Sequence, residues 1–261
     1  MKNKLTSRCR GFTLLEILVS LFLIAFISIL SFYLLTSINN RYKISLENAA
    51  IDSELRTIGE TLAEDLSCMI LIDKGFPIFE FAYDDDQQKF FISFFSSNNE
   101  EHITKAIQYC VKVGDDSRKI FTKSELSPMD SLFMQNNLNQ QSSLRENFSK
   151  YVPAMIRPLS GKLLNFSIRV AMETPSGGTF LSSINANLIY KNGCLYYKNA
   201  KATTSIEGTP LFVDITARAL SDTFEQELSS IKFEPTQDHA MFLTSKARKI
   251  FRRIVIKSRF F

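Results

Sequence analysis

FTLLEILVSLFLIAFISILSFYLL, residues 12–35, is a run of 24 residues with one charged side chain, Glu16. At about 1.5 Å rise per residue it makes a helix roughly 36 Å long, enough to cross a hydrocarbon core of about 30 Å. It exceeds the apolar stretch of about 7–15 residues in a secretory signal, and no small-residue cleavage site follows it. Upstream, MKNKLTSRCRG (residues 1–11) carries Lys2, Lys4, Arg8 and Arg10 and no acid, whereas only Arg41 and Lys43 follow closely. The positive-inside rule then puts the amino terminus in the cytoplasm and the long remainder across the membrane. A carboxylate inside such a helix is expensive, which makes Glu16 a functional candidate; a side chain near a helix end can also reach the headgroups.

The chain has 261 residues, 31 Lys+Arg and 27 Asp+Glu, for a net charge of +4. The four leader charges account for that whole excess, so residues 12–261 are neutral. A globally basic nucleic-acid binder is disfavoured, and no nucleic-acid partner is expected. A second asymmetry lies at the other end. Residues 244–261 hold seven basic side chains and no acid, which leaves an acidic stretch between. Ala247, Ile250, Phe251, Ile254 and Val255 fall at helical spacing, the pattern of a basic amphipathic helix. The β-branched run Ile254-Val255-Ile256 fits a final strand, and a solvated tail is the third reading. In the helical reading Arg248, Lys249, Arg252 and Arg253 are candidate contacts for anionic headgroups or an acidic partner.

No Pro occurs between Phe12 and Phe76, and Gly59 is the one Gly before Gly75. Ile51, Leu55, Ile58, Leu62, Leu66 and Met69 advance with a mean step of about 3.6, an amphipathic stripe. The membrane helix is therefore expected to continue to about Met69, with room for a bend at Asn39-Asn40, and to pack its stripe on an outer domain. Strand patterns follow at 76–83, 89–96, 103–113, 118–123, 163–172, 186–191, 194–198 and 211–217, with turns at 114–117 and 174–178. Asn192-Gly193 is the strongest hairpin signal, because both turn positions favour φ > 0. The polar stretch 124–150 reads as an insertion or loop with room for a short helix. The fold class is α+β: one long N-terminal helix against antiparallel sheet.

Candidate chemistry is sparse. With Cys9, Cys68, Cys110 and Cys194, His102 and His239, no cluster has metal-ligand spacing, and no phosphate loop or nucleophile elbow occurs. Three cysteines outside the leader permit at most one disulfide and otherwise read as small hydrophobes. Asp84-Asp85-Asp86 suits an acidic hairpin turn better than a calcium loop. No catalytic residue, cofactor site or metal site is expected, and the chain reads as non-enzymatic.

Arg10-Gly11-Phe12-Thr13-Leu14-Leu15-Glu16 resembles the class III leader of type IV pilin-like proteins. The resemblance implies that a prepilin peptidase/methyltransferase cuts between Gly11 and Phe12 and methylates the new amino terminus of Phe12. It also implies that Glu16 pairs with the amino terminus of a neighbouring subunit during assembly, giving the carboxylate the partner it needs in a low dielectric. Within that family, Glu54-Leu55-Arg56 through Leu62-Ala63-Glu64-Asp65-Leu66 is similar to the helix, ending in Asp-Leu, of J-type minor pseudopilins of type II secretion. Residues 106–111 with Ile120-Phe121 resemble their V-x-Y strand and hairpin, and residues 210–215 their late strand; 124–150 departs from their compact pattern.

The organisation implied is a cleaved leader (1–11), a transmembrane helix (12–35), its periplasmic continuation (36–70), a pilin-like outer domain (71–243) and a basic tail (244–261). The function implied is a structural subunit near the tip of a secretion pseudopilus, anchored once in the inner membrane, with other minor pseudopilins or pilins as partners. A minor pilin of a type IV pilus or DNA-uptake machine is the alternative within the family. A membrane-tethered binding or enzymatic domain is the alternative outside it.

Overall fold

The computed structural model describes residues 13–70, 77–84, 89–98, 103–113, 119–139, 141–182, 186–199, 202–221 and 247–256. The chain divides into two compact units, 1–47 and 48–261, and the first helix contributes to both. That helix, α1, runs from Leu14 to Ser67 without interruption and is helical through Asn39-Asn40. Its apolar first part is long enough to cross a membrane, and its side chains from Leu14 to Leu35 are all exposed in the isolated chain.

In the second unit the expected stripe is the core face of α1. Ile51, Leu55, Ile58, Leu62 and Leu66 are buried, as is Met69 just beyond the helix. They pack on one face of an antiparallel sheet. Its strands are β1 (Phe79–Asp84), β2 (Lys89–Asn98), β3 (Ile103–Val113), β4 (Lys119–Glu125), β5 (Met155–Glu173), β6 (Thr179–Leu181), β7 (Asn187–Lys191), β8 (Cys194–Asn199), β9 (Ala202–Glu207), β10 (Thr209–Ala219) and β11 (Arg248–Val255). The order across the sheet is β11-β10-β5-β4-β3-β2-β1-β7-β8-β9, and β6 pairs with the end of β5. An aromatic row, Phe94, Tyr109, Phe121 and Phe166, crosses β2 to β5 with ring centroids 5.1–6.3 Å apart. These rings lie under α1 and give the helix a flat floor.

The opposite face carries the 124–150 stretch. It forms two helices, α2 (Pro128–Asn137) and α3 (Leu144–Phe148), capped by Ser127 and Ser143. Phe95 and Ala106 alternate with inward Phe94 and Ile107, so they point away from α1. They join Leu126, Met134, Leu144 and Phe148 in a second small core. The layers are therefore helix, sheet and a helical cover.

Two sequence expectations are corrected. The strand expected at 163–172 is longer, because β5 starts at Met155 and uses its first half for β4 and its second for β10. Of the three readings of the basic tail, the final strand holds where it is described and the amphipathic helix does not. Residues 248–255 are a strand paired with β10 in a continuous register from Ala219↔Arg248 to Phe212↔Val255. Its inward positions include Arg252 and Ile254, while Lys249, Phe251, Arg253 and Val255 are exposed. The open edge of β10 overrides the local helical spacing, and a window of sequence cannot display that edge. Elsewhere the Asn192-Gly193 turn has φ of 50° and 71°, as its residues demand. Asp84 closes the β1–β2 hairpin opposite Lys89. The expected turn at 114–117 and Asp85 and Asp86 lie outside the described residues. Cys68, Cys110 and Cys194 are half-buried, and none is in a disulfide.

Gly59 shows why a single glycine sits in α1. A Cβ there would stand 3.3 Å from Arg252 Cδ and 3.4 Å from Ile250 Cδ1, so β11 lies directly on the helix. Gly59→Ala should be close to neutral, because the Arg252 side chain can yield and alanine gains about 1 kcal/mol of helix propensity. Gly59→Leu should cost about 1–3 kcal/mol by overpacking. Thermal unfolding of the full chain in detergent measures both.

Candidate functional site

Two places in the chain hold charge where an apolar helix would not ordinarily have it. At the start of α1, Thr13 is the N-cap and Glu16 the third helical position. The Thr13 backbone N–H donates to Glu16 Oε2 at 3.0 Å, the Thr13 hydroxyl donates to the same oxygen at 3.2 Å, and the Glu16 N–H donates to Thr13 Oγ1 at 3.3 Å. This is a capping box, in which two orphan N–H groups of the first turn are satisfied reciprocally. In the isolated chain the carboxylate is thus held by its own helix start. Gly11 and Phe12, the expected cleavage and methylation positions, lie outside the described residues.

The second place is at the other end of α1. Asp65 flanks the buried stripe and meets strands β3 and β4. Lys123 Nζ lies 2.6 Å from Asp65 Oδ2 and 2.8 Å from Glu125 Oε1, and the Tyr109 hydroxyl donates to Asp65 Oδ2. Tyr109 and Lys123 are register partners, so the pairing of β3 with β4 itself delivers phenol and ammonium to one carboxylate. Lys123 is only 8% exposed and Tyr109 is fully buried. A cavity of about 170 Å³ bounded by Glu64, Asp65, Cys68, Lys105 and Glu125 opens the cluster to one side, where Lys105 lies 3.8 Å from Glu125.

Burial pushes the Asp65 carboxyl up, against the hydrogen bonds from Lys123 and Tyr109 that pull it down. The Lys123 ammonium is drawn down by burial but is held above its ordinary value by hydrogen bonds to Asp65 and Glu125. The Tyr109 phenol is pushed far up, first by burial and then by the adjacent Asp65 charge. A raised folded-state pKa means that Tyr109 contributes its full stability below the unfolded value, about 10, and loses it as pH rises above that. Urea unfolding between pH 9 and 11 should show stability falling by up to about 1.4 kcal/mol per pH unit from this residue, with Lys123 adding in the same direction. Tyr109→Phe should make the slope shallower; an unchanged slope would remove Tyr109 from the alkaline transition.

Asp65 and Tyr109 are the acidic residue and the tyrosine of two motifs singled out separately in the sequence, and folding joins them. Lys123 and Glu125 were not singled out. Their signal is present in hindsight: Phe121, Lys123 and Glu125 alternate on one face of a strand, and two charges following a buried aromatic at core-facing positions require partners.

The four tail residues are dispersed. Arg253 makes a bidentate pair with Asp214 at 2.7 and 2.8 Å and lies 3.9 Å over the Phe212 ring. Arg252 lies along α1 at Gly59, where its charge acts on Glu60. Arg248 is 3.9 Å from Asp52, and Lys249 is exposed. Arg248 and Arg252 therefore complement acidic α1, and the charge division of the sequence is partly an internal one. On the far face a cavity of about 380 Å³ lies between α3 and β1, β7 and β8. Its buried Glu80 is already satisfied by the Ser143 hydroxyl at 2.9 Å and the Arg145 N–H at 3.0 Å, and Arg145 pairs with Asp84 at 2.6 Å. These bonds fasten α3 to the sheet.

Residues 6–32 match the family model described as the prokaryotic N-terminal methylation motif. The match covers about a tenth of the chain and includes the capped start of α1. The chain thus carries a prepilin-type methylation signal followed by a helix that fits a single-pass anchor, and in that it is similar to type IV pilin-like proteins. No curated protein and no solved structure matches it.

Proposed function

We propose that this chain is a non-enzymatic assembly subunit, a minor pseudopilin near the tip of a type II secretion pseudopilus. The observation that carries the reading is the methylation motif over residues 6–32, which runs into the anchor helix and contains its first charged residue, Glu16. A prepilin peptidase cuts between Gly11 and Phe12 and methylates Phe12. Glycine leaves the scissile bond unobstructed, and the four leader charges hold it on the cytoplasmic face. Cutting removes those charges and leaves the anchor in the inner membrane with the outer domain in the periplasm. The new amino terminus then lies one residue before the Thr13 N–H that Glu16 already accepts. On assembly the Glu16 carboxylate exchanges its own cap for the amino terminus of a neighbour.

The J-type assignment is supported by the meeting of Asp65 with Tyr109, because the helix-end acid and the strand tyrosine of that resemblance act as one lock. A minor pilin of a type IV pilus or uptake machine would use the same leader and lock. Intact-mass analysis of the chain from its native membrane tests the reading. The expected product begins at Phe12 and is heavier by one methyl group, and it co-purifies with other leader-processed subunits. An uncut chain would instead favour a tethered binding or enzymatic domain.

A further inference from the structure

Helices α2 and α3 cover the far face of the sheet over β1, β2 and β3. On β5, β10 and β11 that face carries charge instead. Phe166, Ile168 and Val170 of β5 and Val213, Ile215 and Ala217 of β10 belong to the core under α1, so the residues between them point outward. The strand register sets these outward residues in rows: Arg169, Asp214 and Arg253, then Ser167, Thr216 and Phe251, then Asn165, Arg218 and Lys249. Basic side chains thus bracket a row that holds two hydroxyls. Charge pairing on this face is incomplete. Asp214 lies between two arginines, and Arg253 takes both of its oxygens, at 2.7 and 2.8 Å. Arg169, on the other side of Asp214, is half-buried, and its buried Nε has no hydrogen-bond partner among the described residues. The Arg218 guanidinium is half-buried too and makes no ion pair with a described residue. A desolvated N–H is costly to leave without an acceptor, and in native folds such groups ordinarily meet a water or an ion.

We infer that Arg169, Ser167, Thr216 and Arg218 form a binding site for a phosphate-type oxyanion, carried by a soluble phosphoryl compound or by a lipid headgroup. Arg169 and Arg218 sit on neighbouring strands, two rows apart, which is about 13 Å along the strand direction at the backbone. The Ser167 and Thr216 hydroxyls occupy the row midway between them. Two planar guanidinium forks and two hydroxyls offer more donors than one carboxylate accepts. A tetrahedral phosphate presents oxygens in several directions and can take both forks and the hydroxyls together. Lys249 and Arg253 flank the site on β11 and add to its positive field, against the single carboxylate of Asp214.

Phosphorus NMR titration of the full chain with inorganic phosphate, in a maltoside detergent at constant ionic strength, tests this. The expected binding is saturable, and acetate competes for it at least tenfold more weakly than phosphate binds. Arg169→Gln and Arg218→Gln should each weaken it at least tenfold, while Arg56→Gln on α1 behaves as the parent chain. Ser167→Asp sets a carboxylate between two intact arginines and should abolish binding, which keeps the test decisive if a glutamine variant fails to fold. The source is read with the chain in phosphatidylcholine nanodiscs. Adding phosphatidylglycerol removes phosphate binding if a headgroup reaches the site and leaves it intact if the ligand is soluble. Unsaturable binding, equal competition by acetate, or binding untouched by Ser167→Asp would overturn the oxyanion site.

Discussion

Lys123→Met is expected to lower the unfolding free energy by about 3–5 kcal/mol, the usual cost of removing one partner from a buried ion pair. The loss has two sources. Asp65 and Glu125 would face each other without the ammonium that lies 2.6 Å and 2.8 Å from them, and burial already disfavours the Asp65 charge. The helix end would also lose its link to β4, while Leu62 and Leu66 still require the aromatic floor beneath them. Denaturant unfolding of the full chain in detergent measures the effect. Replacing the cluster as a unit, with Asp65→Leu and Glu125→Leu added to Lys123→Met, should recover most of the loss, because an apolar set of similar volume carries no desolvation penalty. If the triple variant is no better than the single one, the lysine acts through packing and the ion-pair account fails.

The second large effect is functional. Glu16→Val and Glu16→Gln should both reduce incorporation into the assembly at least tenfold, while cleavage at Gly11 proceeds as in the parent chain. A tenfold loss corresponds to about 1.4 kcal/mol, modest for a charge deprived of its partner in a low dielectric. The pair of variants separates the two roles the carboxylate can play. Glutamine can keep the capping box with Thr13 but carries no charge, whereas valine keeps neither. Loss with both variants points to the ion pair with a neighbour. Normal assembly of the Glu16→Gln chain would mean that only the helix cap matters. Quantifying the subunit in purified assemblies decides between them.

These two sites differ in how legible they were. Glu16 lies inside the anchor run, and its meaning as a charge in an apolar stretch depends on local order alone; the Thr13 cap around it came from the structure. The buried stripe from Ile51 to Met69 was equally readable, because a 3.6-residue repeat needs no partner to be recognised. For Lys123 the alternation shows a charge at a core-facing position, but not the partner that it meets. On its strand it is one more charged residue among alternating ones, and its role exists only because Asp65, some sixty residues earlier, arrives above it. The tail shows the same limit from the other side. Its helical spacing was real, yet the unpaired edge of β10 and the bare backbone at Gly59 offered a better place, and Arg248–Val255 is a strand.

The methylation signal, the apolar helix that fits an anchor, its amphipathic continuation and an antiparallel domain after it are all written in adjacent residues and their periodicity. Which charges are internal, which strand the tail pairs with, and that the 124–150 stretch is a helical cover with apolar residues outward emerge from folding. Those outcomes depend on pairing between segments far apart in the chain, and the desolvation and edge-pairing energies that select them exist only once the segments meet.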